Sequence, residues 1–534
     1  MTARHGSESF YIEGEGLLST QVGGRGGNAP DAITDPETAA EPHLAADQAP
    51  PLRFSRVGPR GRAIRPALIA HLAEAMTQGR GGRGDIPAGY TYLGQFIDHD
   101  LTMDVTEVAL GQDITPAQLL QARSPSLDLD SLYGAGPSDS ESARFYEDDG
   151  LHLKTGTTNR IGPDREKVGH DLPRVGTGPG DKAKRKAVIP DPRNDENLIV
   201  AQTHVAMIRF HNRVVDKLPA GLPPAQRFRR ARRLVTLHYQ WLIRHDYLPR
   251  IVRSDVLDDV FTNGRKIFEV GATATDVPTM PIEFSVAAFR LGHSMVRRDY
   301  NWNREFDNGN GTLPLLFDFT GTSGFLGNGA RLPSNWIADW RRLYHFEQPA
   351  LQVPAAKFNL ARRIDTLLVN PLAALPPGSF GAAAPPADPL VANLAFRNLA
   401  RANMLRLATG QGMVTFLNDH GVPVTGLTKA QLRDGSGGAQ LAALSAAERT
   451  AFLDHTPLWF YILREAELNG GRLAGVGARI VAETFHRAME GSKASIVRDP
   501  AFKPRFGPDD STFDMRDLLH FAFEGKKALL APVG

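Results

Sequence analysis

Residues 90–100 read Tyr-Thr-Tyr-Leu-Gly-Gln-Phe-Ile-Asp-His-Asp. On a helix turning about 100° per residue, Gln95 and His99 lie on one face, four positions apart. Asp98 and Asp100 diverge to either side of His99, so one helix offers an inward polar cluster and a carboxylate aimed elsewhere. Solvated acids at a helix end would also account for the triplet. A dinuclear metal site would favour it too, but the further carboxylates and histidines that such a site needs at short spacing are missing. A second segment, Asp191-Pro192-Arg193-Asn194-Asp195-Glu196-Asn197, stands directly before a helical run. Pro190 and Pro192 fix its path, and Asp191 or Asn194 could cap the helix. Arg193 and Glu196, three apart, can face one cavity; the plain alternative is a capping segment whose arginine makes a surface ion pair.

Three more segments carry polar groups in unusual settings. His293 lies in the apolar run Ala288-Phe289-Arg290-Leu291-Gly292-His293-Ser294-Met295, where a core histidine bonded to a carbonyl would also fit. Arg397-Asn398-Leu399-Ala400-Arg401 sets polar residues into another apolar helical pattern. In the stretch from Ser124 to Gly134, an extended chain would align Ser124, Ser126, Asp128 and Asp130 as one oxygen-rich edge. Calcium takes about six to eight such oxygens. The EF-hand pattern is absent, because its glycine and terminal glutamate are misplaced.

The elements that must hold these groups are mostly helical. Apolar spacing predicts helices over 62–78, 91–99, 196–217, 224–247, 284–296, 390–406, 443–467 and 472–490. Strand signals are few and short. Gly (52) and Pro (38) cluster in residues 1–60, 155–190 and 371–389, which read as an N-terminal arm and long irregular loops. The expected fold is mainly α: a single large helical domain over 61–534 with an arm over 1–60. That pattern leaves little room for a doubly wound sheet and its nucleotide site.

Composition narrows the chemistry further. The 534 residues contain no cysteine, which excludes disulfides, thiolate-bound zinc, iron–sulfur clusters, thiolate-ligated haem and cysteine nucleophiles. Sixty-one basic against fifty-nine acidic residues leave a formal charge of +2, so nothing global points to nucleic acid. Met1–Thr20 carries Glu8, Glu13 and Glu15 and no apolar core, and no apolar run reaches the roughly 18 residues of a membrane span. The expectation is a soluble protein without a cleaved leader, cytoplasmic or exported.

Taken together and in order, the five segments resemble the animal-type haem peroxidases of the peroxidase–cyclooxygenase superfamily, in their bacterial branch. The likeness runs from about residue 85 to 490. It implies haem b as cofactor, with His99 as the distal base, Arg193 as the distal arginine and Gln95 as the holder of water or halide. An imidazole of pKa about 6.5 suits the base role near neutrality. It further implies His293 as the iron ligand, Asn398 bonded to the other ring nitrogen, and Arg290 and Arg401 at the propionates or in the proximal hydrogen-bond network. Asp98 and Glu196 match the carboxylates that become ester-linked to haem in relatives; Asn197 stands where one branch has the methionine of a third link. Asp100, Ser124, Ser126 (through its carbonyl), Asp128 and Asp130 would bind Ca2+.

The implied activity is oxidation of halides, pseudohalides or small aromatic donors by hydrogen peroxide, with small molecules as partners and neither nucleic acid nor a membrane span. Fatty-acid dioxygenases of the same superfamily are the near alternative. They need a tyrosine three residues before the proximal histidine, and this chain has Arg290 there. A haem-binding scaffold without turnover is the other alternative, and it would not need both His99 and Arg193.

Overall fold

The computed structural model describes residues 52–534, apart from 80, 107, 377–378, 380–385 and 387. The arm expected over 1–60 therefore lies mostly outside the described residues. Its last part, from Leu52, is docked: Phe54–Ser55 (β1) pairs in parallel with Met280–Pro281, and Glu283 accepts from the backbone N–H groups of Val57 and Gly58 at 3.0 Å each.

The architecture is mainly α. Helices Pro66–Thr77 (α1), Gly89–Leu101 (α2), Leu198–Lys217 (α3) and Pro224–Leu242 (α4) form its first half. The short turn Gly292–Met295 (α5) and helices Leu394–Met404 (α6), Leu458–Leu468 (α7) and Gly475–Glu490 (α8) complete the frame of the site. Strands are short and paired two by two; the widest pairing sets Arg83–Pro87 (β2) antiparallel to Leu360–Arg362 (β3).

Twelve of the thirteen residues of α2 are buried, Gln95 alone being half-buried. A helix buried round its circumference, polar residues included, is enclosed on nearly all sides. It packs against α3 on one side and α5 on another. Two glycines permit that closeness. A Cβ on Gly89 would lie 2.3 Å from the Tyr344 ring, and one on Gly94 would lie 2.2 Å from Oη of Tyr247. Elsewhere α3 packs on α4, α1 on α6, and α7 on both α6 and α8.

Three expected helices depart from their predicted spans, two by interruption and one by extension. The span 284–296 is a series of single turns: Ile282–Ser285, a 3-10 turn at Ala288–Leu291, then α5. Side chains take over its carbonyls, with Arg290 Nε donating to Ser285 O at 2.7 Å and Ser294 Oγ to Leu291 O at 2.8 Å. The span 443–467 divides into Ala446–Asp454 and α7, because Pro457 excludes the helical conformation just before it. The span 224–247 instead overruns. It continues through a π turn at Ile243–Tyr247 into Leu248–Ile251, and the widened turn accommodates Pro249.

Candidate active site

The segment 191–197 packs its polar side chains against α2. Asp191 caps the 3-10 turn Pro192–Asp195, accepting from Arg193 N at 3.0 Å, and Asn197 caps α3, accepting from Val200 N at 3.0 Å. With both caps supplied, Asn194 is not a cap. Its Oδ1 lies 2.9 Å from Nδ1 of His99.

The other edge of the His99 ring faces Glu196, with Nε2 3.7 Å from Oε1. The same oxygen accepts from Gln95 Nε2, and Gln95 Oε1 accepts from Asn197 Nδ2 at 2.8 Å. Gln95, His99, Glu196 and Asn197 thus form one connected patch.

Arg193 is deeply buried, so it is no surface ion pair. Its Nη2 donates to His99 O at 2.9 Å, and its Nε and Nη2 donate to Asp191 at 3.0 and 2.6 Å. Asp191 also accepts from Arg123 Nε at 2.9 Å. Burial opposes charge on Asp191, but Arg193 and Arg123 outweigh it and hold its carboxyl far below the ordinary range. Arg193 is therefore anchored as a fixed cation directly behind His99.

To one side of His99 on α2, Asp98 accepts from Thr102 Oγ1 at 3.3 Å and pairs with Arg290 Nη1 at 3.4 Å. The structure therefore separates the two carboxylates of the sequence reading: Glu196 faces Gln95 and His99, and Asp98 faces Arg290.

The His293 side is built differently. His293 is half-buried in α5, with the Trp459 ring edge-on at 6.4 Å. Asn398 Nδ2 lies 2.8 Å from its Nδ1, and a half-turn of the amide would present Oδ1 in the same place. Arg401, one helical turn from Arg397 on α6, pairs with Asp104, while its buried Nε and Nη1 meet no hydrogen-bond acceptor among the described residues. Arg290, Ser285, Val286, Thr102, Asp104, Leu119 and Phe54 line a common cavity here. The cavity lining is mixed, three apolar side chains among four polar ones, and the unmet guanidinium donors and the imidazole suit the carboxylates and the metal of an anionic metal complex. That is the donor set that haem requires.

The loop 124–134 does not remain extended. Leu129 takes φ +58°, and Asp130 opens a helical turn, so the alternating edge ends there. Asp100 instead accepts from Ser131 Oγ at 2.8 Å and from Leu129 N and Ser131 N at 3.3 Å each. Asp128 Oδ1 is taken by Ser492 Oγ and by Lys493 N at 3.2 Å. Asp130 Oδ2 accepts from Ser124 N at 3.1 Å, whereas its buried Oδ1 has no hydrogen-bond partner among the described residues. Burial, then the charge of Asp130, pushes the Asp100 carboxyl well up. Burial likewise lifts Asp130 to about 6 against the pull of Arg123. The buried Asp100 and the half-buried Asp130 interact with one carboxyl oxygen unmet among the described residues, which fits a bound cation. Even so, no group of three or more His, Cys, Asp or Glu side chains among the described residues is arranged to hold one.

Sequence reasoning missed the roles of Asn194, Asp104 and Arg123. Only Arg123, immediately before Ser124, was signalled by position.

Residues 99–324 match the family model of the animal haem peroxidase. Over those residues, about two fifths of its length, the chain is similar to an animal haem peroxidase domain. A "Peroxidase-like protein" of Margaritifera margaritifera is 29% identical over 110 residues, 20% of this chain and 14% of that protein. "Thyroid peroxidase" of Mus musculus is 25% identical over 187 residues, 34% of this chain and 20% of that one. The matches thus span under a quarter of the length of these curated relatives. Among solved structures, peroxidase A from Dictyostelium discoideum superimposes with a TM-score of 0.58 at 15% identity, over 90% of this chain and 94% of that one. Fatty acid alpha-dioxygenase from Arabidopsis thaliana gives 0.53 at 12%, over 88% and 75%. At such identities these two speak for the fold, which is the mainly α peroxidase fold. The family match begins at His99 itself and stops short of Asn398 and Arg401. Among the described residues, no helix is long and apolar enough to cross a membrane.

Proposed function

We propose that residues 61–534 form one haem-dependent peroxidase unit, of the bacterial branch, that oxidises halides, pseudohalides or small aromatic donors with hydrogen peroxide. The observation carrying this reading is the pair of histidines on two packed elements, α2 and α5, each with an asparagine at Nδ1, with the anchored Arg193 behind His99. His293 would hold the iron, with Nδ1 protonated and donating to the Asn398 carbonyl. Arg290 and Arg401 would meet the propionates, exchanging Asp98 and Asp104 for them. Bound haem would supply an iron centre that takes up oxidising equivalents from peroxide and passes them to a donor.

The chain's own residues would manage the proton. His99 takes it from hydrogen peroxide at Nε2 and returns it to the departing oxygen, which leaves as water. Arg193 supplies fixed positive charge as the O–O bond breaks. Gln95, already bonded to Glu196 and Asn197, orients water or a halide. Asp98 and Glu196 would form the ester links, so Asp98→Val with Glu196→Gln should let acidified solvent extract all haem; haem retained in that double variant refutes the links. Asp100 and Asp130, with Ser124, the Ser126 carbonyl and Asp128, would hold Ca2+, for which Asp128 must turn from Ser492.

A dioxygenase reading draws on the structural likeness to alpha-dioxygenases, which reaches only the fold. Arg290 stands at the position where that chemistry needs a tyrosine, and its guanidinium is engaged with Ser285 O and Asp98. The deciding experiment gives haem-loaded protein peroxide with iodide, bromide, chloride or a phenol, and in parallel palmitate with oxygen. Peroxide-dependent oxidation of a donor is expected. Palmitate-dependent oxygen uptake without it would overturn the proposal.

A further inference from the structure

We infer that Asn194 is a positioning residue whose side-chain carbonyl accepts the Nδ1–H of His99 and so keeps Nε2, on the Glu196 side, free of its proton. The inference rests on the peroxidase reading and adds a residue to it.

A neutral imidazole has one N–H, and its two nitrogens have different neighbours here. Asn194 Oδ1 stands 2.9 Å from Nδ1, within hydrogen-bond range, while Glu196 Oε1 stands 3.7 Å from Nε2, beyond it. Glu196, as a free carboxylate or through the carbonyl oxygen of its ester, would draw the proton to Nε2 and disable the ring as a base on that edge. Asn194, at the shorter distance, draws it to Nδ1. The amide and Glu196 therefore compete for one proton, and the geometry favours the amide.

The turn carrying Asn194 is fixed from both sides. Asn194 N donates to Asp191 O at 3.1 Å, and Asp195 accepts from Arg174 Nη1 at 2.6 Å and from Gly321 N at 3.0 Å. Asn194 itself is 0% exposed, and its Nδ2 meets no partner among the described residues. A buried amide with unmet N–H groups is a poor choice for packing alone, since leucine would fill similar space without that cost. Among the described residues, its one side-chain bond is the bond to His99.

The test uses haem-loaded protein carrying Asn194→Leu or Asn194→Asp. Two rates are read: peroxide-induced change of the Soret band, and association of cyanide, which enters as HCN and must surrender its proton to a base. In Asn194→Leu both rates should fall about tenfold or more, as when an oriented histidine loses its partner, with haem content and melting temperature near wild type. Asn194→Asp, which keeps an acceptor and has no N–H to offer, should restore most of both rates. In a His99→Ala background, Asn194→Leu should change neither rate further. Wild-type rates in Asn194→Leu beside slow rates in His99→Ala would overturn the inference alone. Wild-type rates in His99→Ala would overturn the peroxidase reading instead. An aspartate variant as slow as the leucine variant would mean that the amide donates, and would overturn the acceptor role. Should Asn194→Leu fail to fold, Asn194→Ala carries the same expectations.

Discussion

The two histidines of this domain share a partner type and little else. His99 sits on a thirteen-residue helix buried almost throughout, among carboxylate and amide groups, with an arginine locked behind it by Asp191. His293 sits on a four-residue turn, half-buried, with Trp459 beside it and arginines 290, 397 and 401 in the elements that pack nearby. The first environment fixes where a proton can go. The second presents positive charge and an apolar wall, which suits holding an anionic planar group. A long enclosed helix gives the precision that proton transfer needs, whereas a short turn can adjust as its ligand settles.

The sharpest way to break this contrast is His293→Ala. We expect loss of most haem, because the iron loses its protein ligand; a variant with unchanged haem content and absorption spectrum would reverse the assignment of the two sides. Next come His99→Ala and Arg193→Ala. Each should keep haem yet react with peroxide about a hundredfold more slowly in stopped flow. Asp191 retains Arg123 as counter-ion, so the arginine variant should still fold. The two effects should not add, since both act on one bond-breaking step.

A smaller effect belongs to the loop behind His99. Asp100→Ala, or chelation of the wild type, should lower haem occupancy and melting temperature together. Metal analysis showing no calcium, with chelation changing nothing, would remove the cation from the His99 side.

The smallest effect concerns the His293 side. Glu465, on the same helix as Trp459, is buried, and burial lifts its carboxyl to about 8 against the N–H groups of Gly477 and Val476. Its folded value is raised, so its contribution is intact below the ordinary 4.5 and is lost as pH climbs through about 8. Glu465→Gln should flatten the fall in melting temperature across that window and leave haem content unchanged. An unaltered slope would show that Glu465 does not titrate there.

Much of the His99 side was legible in the sequence because it depends on helical spacing. Gln95 and His99 share a face, and Asp98 and Asp100 part, for reasons of 3.6-residue periodicity alone. Asn194 was read as a possible cap because asparagine at a turn usually is one; that Asp191 and Asn197 would take both caps depends on tertiary packing. The His293 side was less legible. Its apolar pattern reads as one helix, and the breaks arise from Arg290 and Ser294 side chains capturing carbonyls, which periodicity does not register. Asp104, which holds Arg401, lies far away in sequence from its partner and carries no local signal.

Pairing of β2 with β3 also governs when the site can form. β2 leads directly into α2, yet its partner strand lies past residue 359, and Asp85 beside it reaches Arg472. His99 is thus made early in synthesis but seated late, after most of the chain has left the ribosome. Contacts of such sequence separation make for slow folding through partly ordered states. Haem capture should accordingly be a late event, and nascent chains truncated before residue 360 should neither bind haem nor escape aggregation.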